Sequence, residues 1–67
     1  MTKTTTFTAH DAEGKPYRWA FWYDSAYRAW FLRDYTGYVR RMESNWYGSV
    51  PRIKLVLENH GMTAEVS

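Results

Sequence analysis

The sequence predicts an α+β fold: a three-stranded antiparallel β-sheet with a C-terminal helix packed on one face. Residues 17–32, YRWAFWYDSAYRAWFL, carry aromatic side chains on both sides of a short polar break, which is typical of a β-hairpin. Residues 49–60 place apolar side chains within one arc of a helical wheel. A small all-β barrel is the alternative, in which residues 52–59 form a further strand.

The composition indicates one small domain without covalent or metal staples. The chain has 67 residues, so residues 1–67 are expected to form a single domain. There is no cysteine, which excludes disulfides and thiolate chemistry. Two histidines are too few for a nitrogen-based structural zinc site, which normally has four protein ligands. Aromatic residues make up 19% of the chain and supply much buried area per residue.

The first strand and the first turn are predicted from residue types with known dihedral preferences. Residues 2–10, TKTTTFTAH, are rich in β-branched threonine, and Phe7 is the large apolar side chain that should point inward. This pattern favours an edge strand. The following DAEGKP contains Asp11, Gly14 and Pro16, which are typical turn residues, so a hairpin loop is expected here.

The second and third strands are predicted at residues 17–23 and 27–35. Residues 24–26 then form a three-residue loop, and Tyr23 faces Tyr27 across the hairpin. A helix that begins at Asp24 or Ser25 and stops at Gly37 is the competing interpretation of the later segment. The register matters because a slip of one residue moves every side chain of a strand to the other face.

The remaining segments are predicted as a loop, a helix and a tail. Residues 36–48 are expected to form a loop with a short helical piece, because Val39, Met42 and Trp46 have helical spacing. The helix at residues 49–60 is expected to begin at a Ser49 cap and to stop at Gly61, with Pro51 early enough to cost no hydrogen bond. Residues 61–67 are expected to form a flexible tail.

With the three-residue loop, the hairpin has two unequal faces. The more apolar face, on which the helix should pack, carries Tyr17, Trp19, Phe21, Tyr23, Tyr27, Ala29 and Phe31. The other face carries Arg18, Ala20, Trp22, Arg28, Trp30 and Leu32.

Two interpretations of this second face remain open. The ordinary structural one is that residues 36–48 cover it and that the arginine stems pack across the tryptophans. The functional one is an exposed patch of Trp and Arg, the residue types enriched at binding hot spots. The candidate binding residues are Arg18, Trp22, Arg28 and Trp30, with Arg40 and Arg41 as a second basic cluster.

Catalysis is not expected. His10 and Asp11 could orient an imidazole, but no serine or cysteine nucleophile motif accompanies them. Four scattered glycines form no phosphate-binding loop. We therefore expect no enzyme activity, no cofactor and no metal.

The function predicted from the sequence is a non-catalytic protein-binding module. It would act as a small inhibitor or adaptor of the kind encoded by phage or plasmid accessory genes, and its partner would be another protein or a protein complex. A module that binds DNA or RNA is the alternative, although a net charge of +2 is modest for that class. A homodimer is a further possibility. We expect a cytoplasmic location and no membrane association, because no signal peptide or long apolar run is present.

Overall fold

The computed structural model describes residues 3–65, which form a five-stranded antiparallel sheet and one helix. The sheet curls into a half-barrel, and its strand order is β4-β3-β2-β1-β5. In chain order the elements are β1 (Thr4–Asp11), β2 (Pro16–Asp24), β3 (Ala29–Arg33), β4 (Val39–Arg41), α1 (Trp46–Asn59) and β5 (Met62–Thr63).

The α+β class is confirmed, but three strands understate the sheet. Strand β4 lies in the segment predicted as a loop with a helical piece, and Val39 therefore belongs to a strand rather than to a helical turn. Strand β5 lies in the segment predicted as a flexible tail, where Met62 is buried. Residues 66 and 67 of that tail lie outside the described residues. The curl of the sheet agrees in part with the barrel alternative.

The first hairpin follows the sequence prediction closely. Strands β1 and β2 pair antiparallel from Thr4 opposite Trp22 to His10 opposite Pro16. Asp11 organises the turn, because its side-chain Oδ1 accepts hydrogen bonds from the backbone N–H groups of Glu13 and Lys15. Gly14 has φ +82°, a left-handed conformation that glycine adopts without a Cβ clash.

The β2–β3 hairpin has a different register from the predicted one. Asp24 pairs with Ala29, so the connecting loop has four residues, 25–28, instead of three. Tyr23 is therefore opposite Trp30 and not opposite Tyr27. The partner of Tyr23 therefore lies three residues further along the chain than predicted. Because three is an odd number and side chains alternate between the two faces, every β3 side chain lies on the face opposite to the predicted one.

Asp34 organises the β3–β4 hairpin from a buried position. Its Oδ1 accepts hydrogen bonds from Thr36 N, Thr36 Oγ1 and Tyr38 N, and its Oδ2 accepts one from Arg40 Nη1 at 2.8 Å. Burial alone would raise the pKa of this carboxyl, but the hydrogen bonds from Thr36, Arg40 and Tyr38 favour the charged form and lower the pKa to about 2.

The helix is confirmed, but it begins before the predicted Ser49 cap. Asn45 is the N-cap, and its Oδ1 accepts from Gly48 N at 2.6 Å. Ser49 is buried in the first turn, where its Oγ donates to the Asn45 carbonyl at 2.8 Å. Pro51 therefore lies inside the helix and removes the donor that would reach the Tyr47 carbonyl. Tyr47 is 90% exposed, so water can satisfy that carbonyl.

The helix ends as predicted at Gly61. Gly61 has φ +69°, and its N–H donates to the Glu58 carbonyl at 2.9 Å, which is one of the two hydrogen bonds of a Schellman motif. The chain then turns directly into β5, which pairs with His10 and Asp11 at the end of β1. This pairing fixes the segment after the helix against the sheet.

The core lies between α1 and the concave face of the curled sheet. Its centre is Trp19, which is 1% exposed and packs near Phe7 and His60. Helix residues Ile53 and Leu57 complete this layer. The buried core cluster consists of Ala9, Trp19, Leu32, Met42, Ile53, Leu57 and Met62.

Two leucines of the helix test its orientation. Leu57 is 2% exposed and Leu55 is 57% exposed. We expect Leu57→Ala to lower the free energy of unfolding by about 2–5 kcal/mol, because it leaves a cavity in the core. Leu55→Ala should change it by less than about 0.5 kcal/mol. Urea unfolding measures both, and equal losses would contradict the helix orientation.

Asp34 should make the stability depend on pH. The pKa of Asp34 in the folded protein is about 2, below its ordinary value of 3.8, so the stabilisation is present above pH 4 and is lost as the pH falls through about 2. The size expected from this shift is about 2 kcal/mol. Urea unfolding of wild type and Asp34→Asn at pH 2 to 7 should give stabilities that converge at the acid end. Glu58→Gln, at an exposed helix position, is the control, and parallel curves for wild type and Asp34→Asn would contradict the role of the charge.

Candidate functional site

The side of the sheet opposite α1 is the candidate functional site, and we call it the convex face. Strand pairing determines its members, because side chains alternate between the two faces and directly opposed residues share a face. The strand register places on it Thr4, Thr6, Thr8, His10, Pro16, Arg18, Ala20, Trp22, Asp24, Ala29, Phe31, Arg33, Val39 and Arg41.

Aromatic rings form the centre of the convex face. Trp22 and Phe31 lie side by side across β2 and β3, with ring centroids 6.0 Å apart and planes 16° from parallel. Tyr27, from the loop, packs edge-on against Phe31 at 5.7 Å. The Arg33 guanidinium lies 5.7 Å from the centroid of the Trp22 ring. Trp22 and Phe31 are only half-buried, so part of each ring reaches solvent.

Three arginines and one carboxylate lie on the convex face within residues 3–65. Arg18, Arg33 and Arg41 are exposed there, and none of them is in a salt bridge with a described residue. Asp24 lies at the end of the face, but its Oδ1 is directed at the loop, where it accepts from the backbone N–H groups of Ala26 and Tyr27. The face therefore presents guanidinium groups without carboxylates between them.

Three other acidic residues form ion pairs or hydrogen bonds away from the convex face. Asp34 pairs with Arg40 at 2.8 Å, and Glu43 pairs with Arg52 at 2.9 Å. Asp11 holds the first turn and also accepts from the Tyr17 hydroxyl at 3.3 Å. The whole chain is close to neutral, although these carboxylates and the arginines of the convex face lie on different parts of the molecule.

Three of the six sequence-predicted site residues lie on the convex face, namely Arg18, Trp22 and Arg41. The other three, Arg28, Trp30 and Arg40, lie elsewhere because of the register of β3 and the alternation of β4.

Trp30 lies on the concave side, against the helix. Its ring centroid is 4.7 Å from that of Trp46 and 6.1 Å from that of Phe21. It packs against the buried core cluster, which Trp22 does not. The predicted pair of exposed tryptophans is therefore split between the two faces.

Arg28 and Arg40 each take part in the structure of a hairpin instead. Arg28 ends the β2–β3 loop with φ +53°, a left-handed conformation that is uncommon for a residue other than glycine. Arg40 points to the concave side, where it pairs with Asp34 and lies 4.8 Å from the Tyr38 ring centroid. Neither residue contributes to the row of arginines on the convex face.

The sequence prediction missed Phe31 and Arg33. Both follow from the four-residue loop, since they share a face with Trp22 and Ala20 only in the observed register. The signal for that loop was Asp24, because aspartate often accepts hydrogen bonds from backbone groups two residues on and so begins a turn.

The described part of the chain offers little for a metal site, a membrane span or a ligand pocket. No group of three or more His, Asp or Glu side chains in residues 3–65 could hold a metal ion. No helix in that range is long and apolar enough to cross a membrane. An open depression of about 180 Å³ lies beside Leu57 and Met62. This volume is smaller than the range of about 300–1,000 Å³ that is usual for ligand pockets.

Two tryptophan variants test the assignment of the faces. Trp30→Ala should cost about 3–5 kcal/mol of unfolding free energy, because it opens the aromatic layer under the helix. Trp22→Ala should cost markedly less, because its ring lies outside the core and is partly solvated. Urea unfolding followed by circular dichroism measures both, and equal losses would show that the faces are assigned incorrectly.

Comparisons with known proteins do not add to this description. No protein-family model, curated protein or solved structure matches the chain. The function is therefore inferred from the charge, exposure and packing of the convex face.

Proposed function

We propose that the protein is a non-catalytic binding module whose convex face binds an acidic surface of another protein. It would act as a small inhibitor or adaptor. The observation that carries the proposal is the segregation of charge, with Arg18, Arg33 and Arg41 around Trp22 and Phe31 and no open carboxylate between them.

The residue types of the face suit a protein interface. Tryptophan and arginine are the types most enriched at hot spots, where a few residues supply most of the binding free energy. Arginine can form paired hydrogen bonds with one carboxylate, so an acidic partner would be recognised by geometry as well as by charge. A partner with a flat or concave acidic surface would fit the outward curvature.

Packing around Trp22 favours a protein over single-stranded nucleic acid. Bases bind such proteins by stacking on open aromatic faces within a positively charged groove. The Trp22 ring already has Phe31 and the Arg33 guanidinium as neighbours, and the face curves outward instead of forming a groove. A protein partner can use the exposed ring edges without displacing either neighbour.

Nucleic acid remains the second candidate, because the same three arginines could contact phosphates. The two candidates differ in salt dependence. Binding to a single strand should weaken linearly in log K against log salt, with a slope of about −0.7 for each phosphate contact. A protein interface centred on Trp22 should respond less, because salt screens exposed charges and not apolar burial.

We predict that charge reversal on the convex face weakens partner binding. Immobilised wild type, Arg33→Glu and Lys54→Glu would be compared for proteins retained from a nuclease-treated extract of the native host. Arg33→Glu should weaken retention about thirty-fold, equivalent to a hot-spot loss of about 2 kcal/mol. Lys54→Glu makes the same charge change on the exposed part of the helix and should have no effect.

A mixed-sequence oligonucleotide of twelve bases serves as the competing probe, measured by fluorescence anisotropy at low salt. The nucleic-acid function would replace the protein-binding one if the oligonucleotide binds tightly, Arg33→Glu removes that binding, and proteins are retained from an untreated extract but not from the nuclease-treated one. Equal retention by Arg33→Glu and Lys54→Glu would reject the convex face as the site.

A further inference from the structure

Among the described residues, the outer edge of β1 has a partner strand only at its end. Strand β5 pairs only with His10 and Asp11, at the end of β1. Within residues 3–65, no strand pairs with residues 4–9 on the side away from β2. The helix makes its main contacts with β5 and β3.

The backbone groups on the open edge belong to alternate threonines. Asp11 N donates to Lys15 O, which makes this pair a hydrogen-bonded one in the β1–β2 ladder. Because hydrogen-bonded and non-hydrogen-bonded pairs alternate along an antiparallel ladder, the N–H and C=O groups of Thr4, Thr6 and Thr8 point away from β2. These groups can pair with another extended strand.

This edge lacks the features that normally prevent pairing between sheets. Native edge strands are usually protected by charge, proline, a bulge or a very short length. Residues 4–9, TTTFTA, contain no proline and no charged side chain, and the ladder to β2 runs without a bulge. The opposite edge, β4, is three residues long and carries Arg40 and Arg41.

We propose that a second copy of this chain occupies the edge, with its β1 antiparallel to the first across a two-fold axis at Thr6. Thr6 then faces the partner's Thr6, and Thr4 faces the partner's Thr8. All of these residues point their backbone groups outward, so the three pairs would form roughly six hydrogen bonds, at two for each pair. This register is self-complementary, as a two-fold interface requires.

Side chains on both faces agree with this register. On the convex face threonine lies opposite threonine, a favourable cross-strand combination. On the concave face, Phe7 would lie beside the partner's Thr5. Phe7 packs on Trp19 and Phe21 but is only half-buried, and the partner strand would cover its remaining exposed surface. Residues 4–8 carry no charged side chain, so no like charges would face each other across the interface.

The extent of the open edge fits the length of the interface. Strand β5 occupies the edge at His10 and Asp11, so a partner strand can pair only as far as Ala9. The resulting sheet would have ten strands, twice the five of one copy. The two convex faces would then form one continuous surface, with Arg18 in the row next to the new interface.

Molecular mass against concentration tests the dimer directly. Light scattering after size exclusion, from micromolar to millimolar protein, should show the mass rise from 8.0 kDa toward twice that value. Thr6→Lys places two like charges at the two-fold axis and should keep the protein monomeric. Ser44→Lys, on the exposed β4–α1 connection, should dimerise as the wild type does. Thermal melts would confirm that both variants fold.

Paired charges test the register. Thr4→Lys combined with Thr8→Lys should prevent dimerisation, whereas Thr4→Lys combined with Thr8→Glu should restore it by attraction across the interface. The backbone amides of Thr4 and Thr8 should exchange with solvent more slowly in the wild-type dimer than in Thr6→Lys. A wild type that stays monomeric at millimolar concentration would overturn the proposal. A dimer that survives Thr6→Lys but is lost in Trp22→Ser would also overturn it, because it would use the convex face.

Discussion

The register of the β2–β3 hairpin is the constraint on which the arrangement of the rest of the structure depends. Side chains of a strand alternate between faces, so the number of residues in one loop decides which β3 side chains meet the helix. Four residues separate Asp24 from its partner Ala29. Asp24 stabilises this length by accepting two backbone hydrogen bonds within the loop, and Arg28 closes the loop in a left-handed conformation.

The aromatic content compensates for the absence of covalent and metal staples. A domain of this size buries a smaller fraction of its surface than a large domain does, so each core side chain must contribute much apolar area. Trp19 occupies the centre, and Phe21, Trp30 and Trp46 extend the buried layer toward the start of the helix. Had Trp30 pointed outward, the first turn of α1 would have lost its main packing surface.

The positions of the charged residues matter both for the stability of the fold and for the proposed binding. Asp11, Asp24 and Asp34 organise the three hairpin turns through hydrogen bonds to backbone N–H groups. Carboxylates used in this way are unavailable to neutralise the arginines of the convex face. Edge pairing at Thr6 would not involve those arginines, and it would bring two such surfaces together on one continuous sheet.

The elements that depend on local signals could be predicted from the amino-acid sequence. Threonine-rich β1, the Asp11–Gly14 turn, the amphipathic helix and its stop at Gly61 all follow from residue types over a few positions. The β2–β3 register and the two short strands β4 and β5 became known only from the folded structure, and with them the residues of the convex face. These features depend on pairing between distant residues, and a strand of two or three residues has too few side chains to show a periodic pattern.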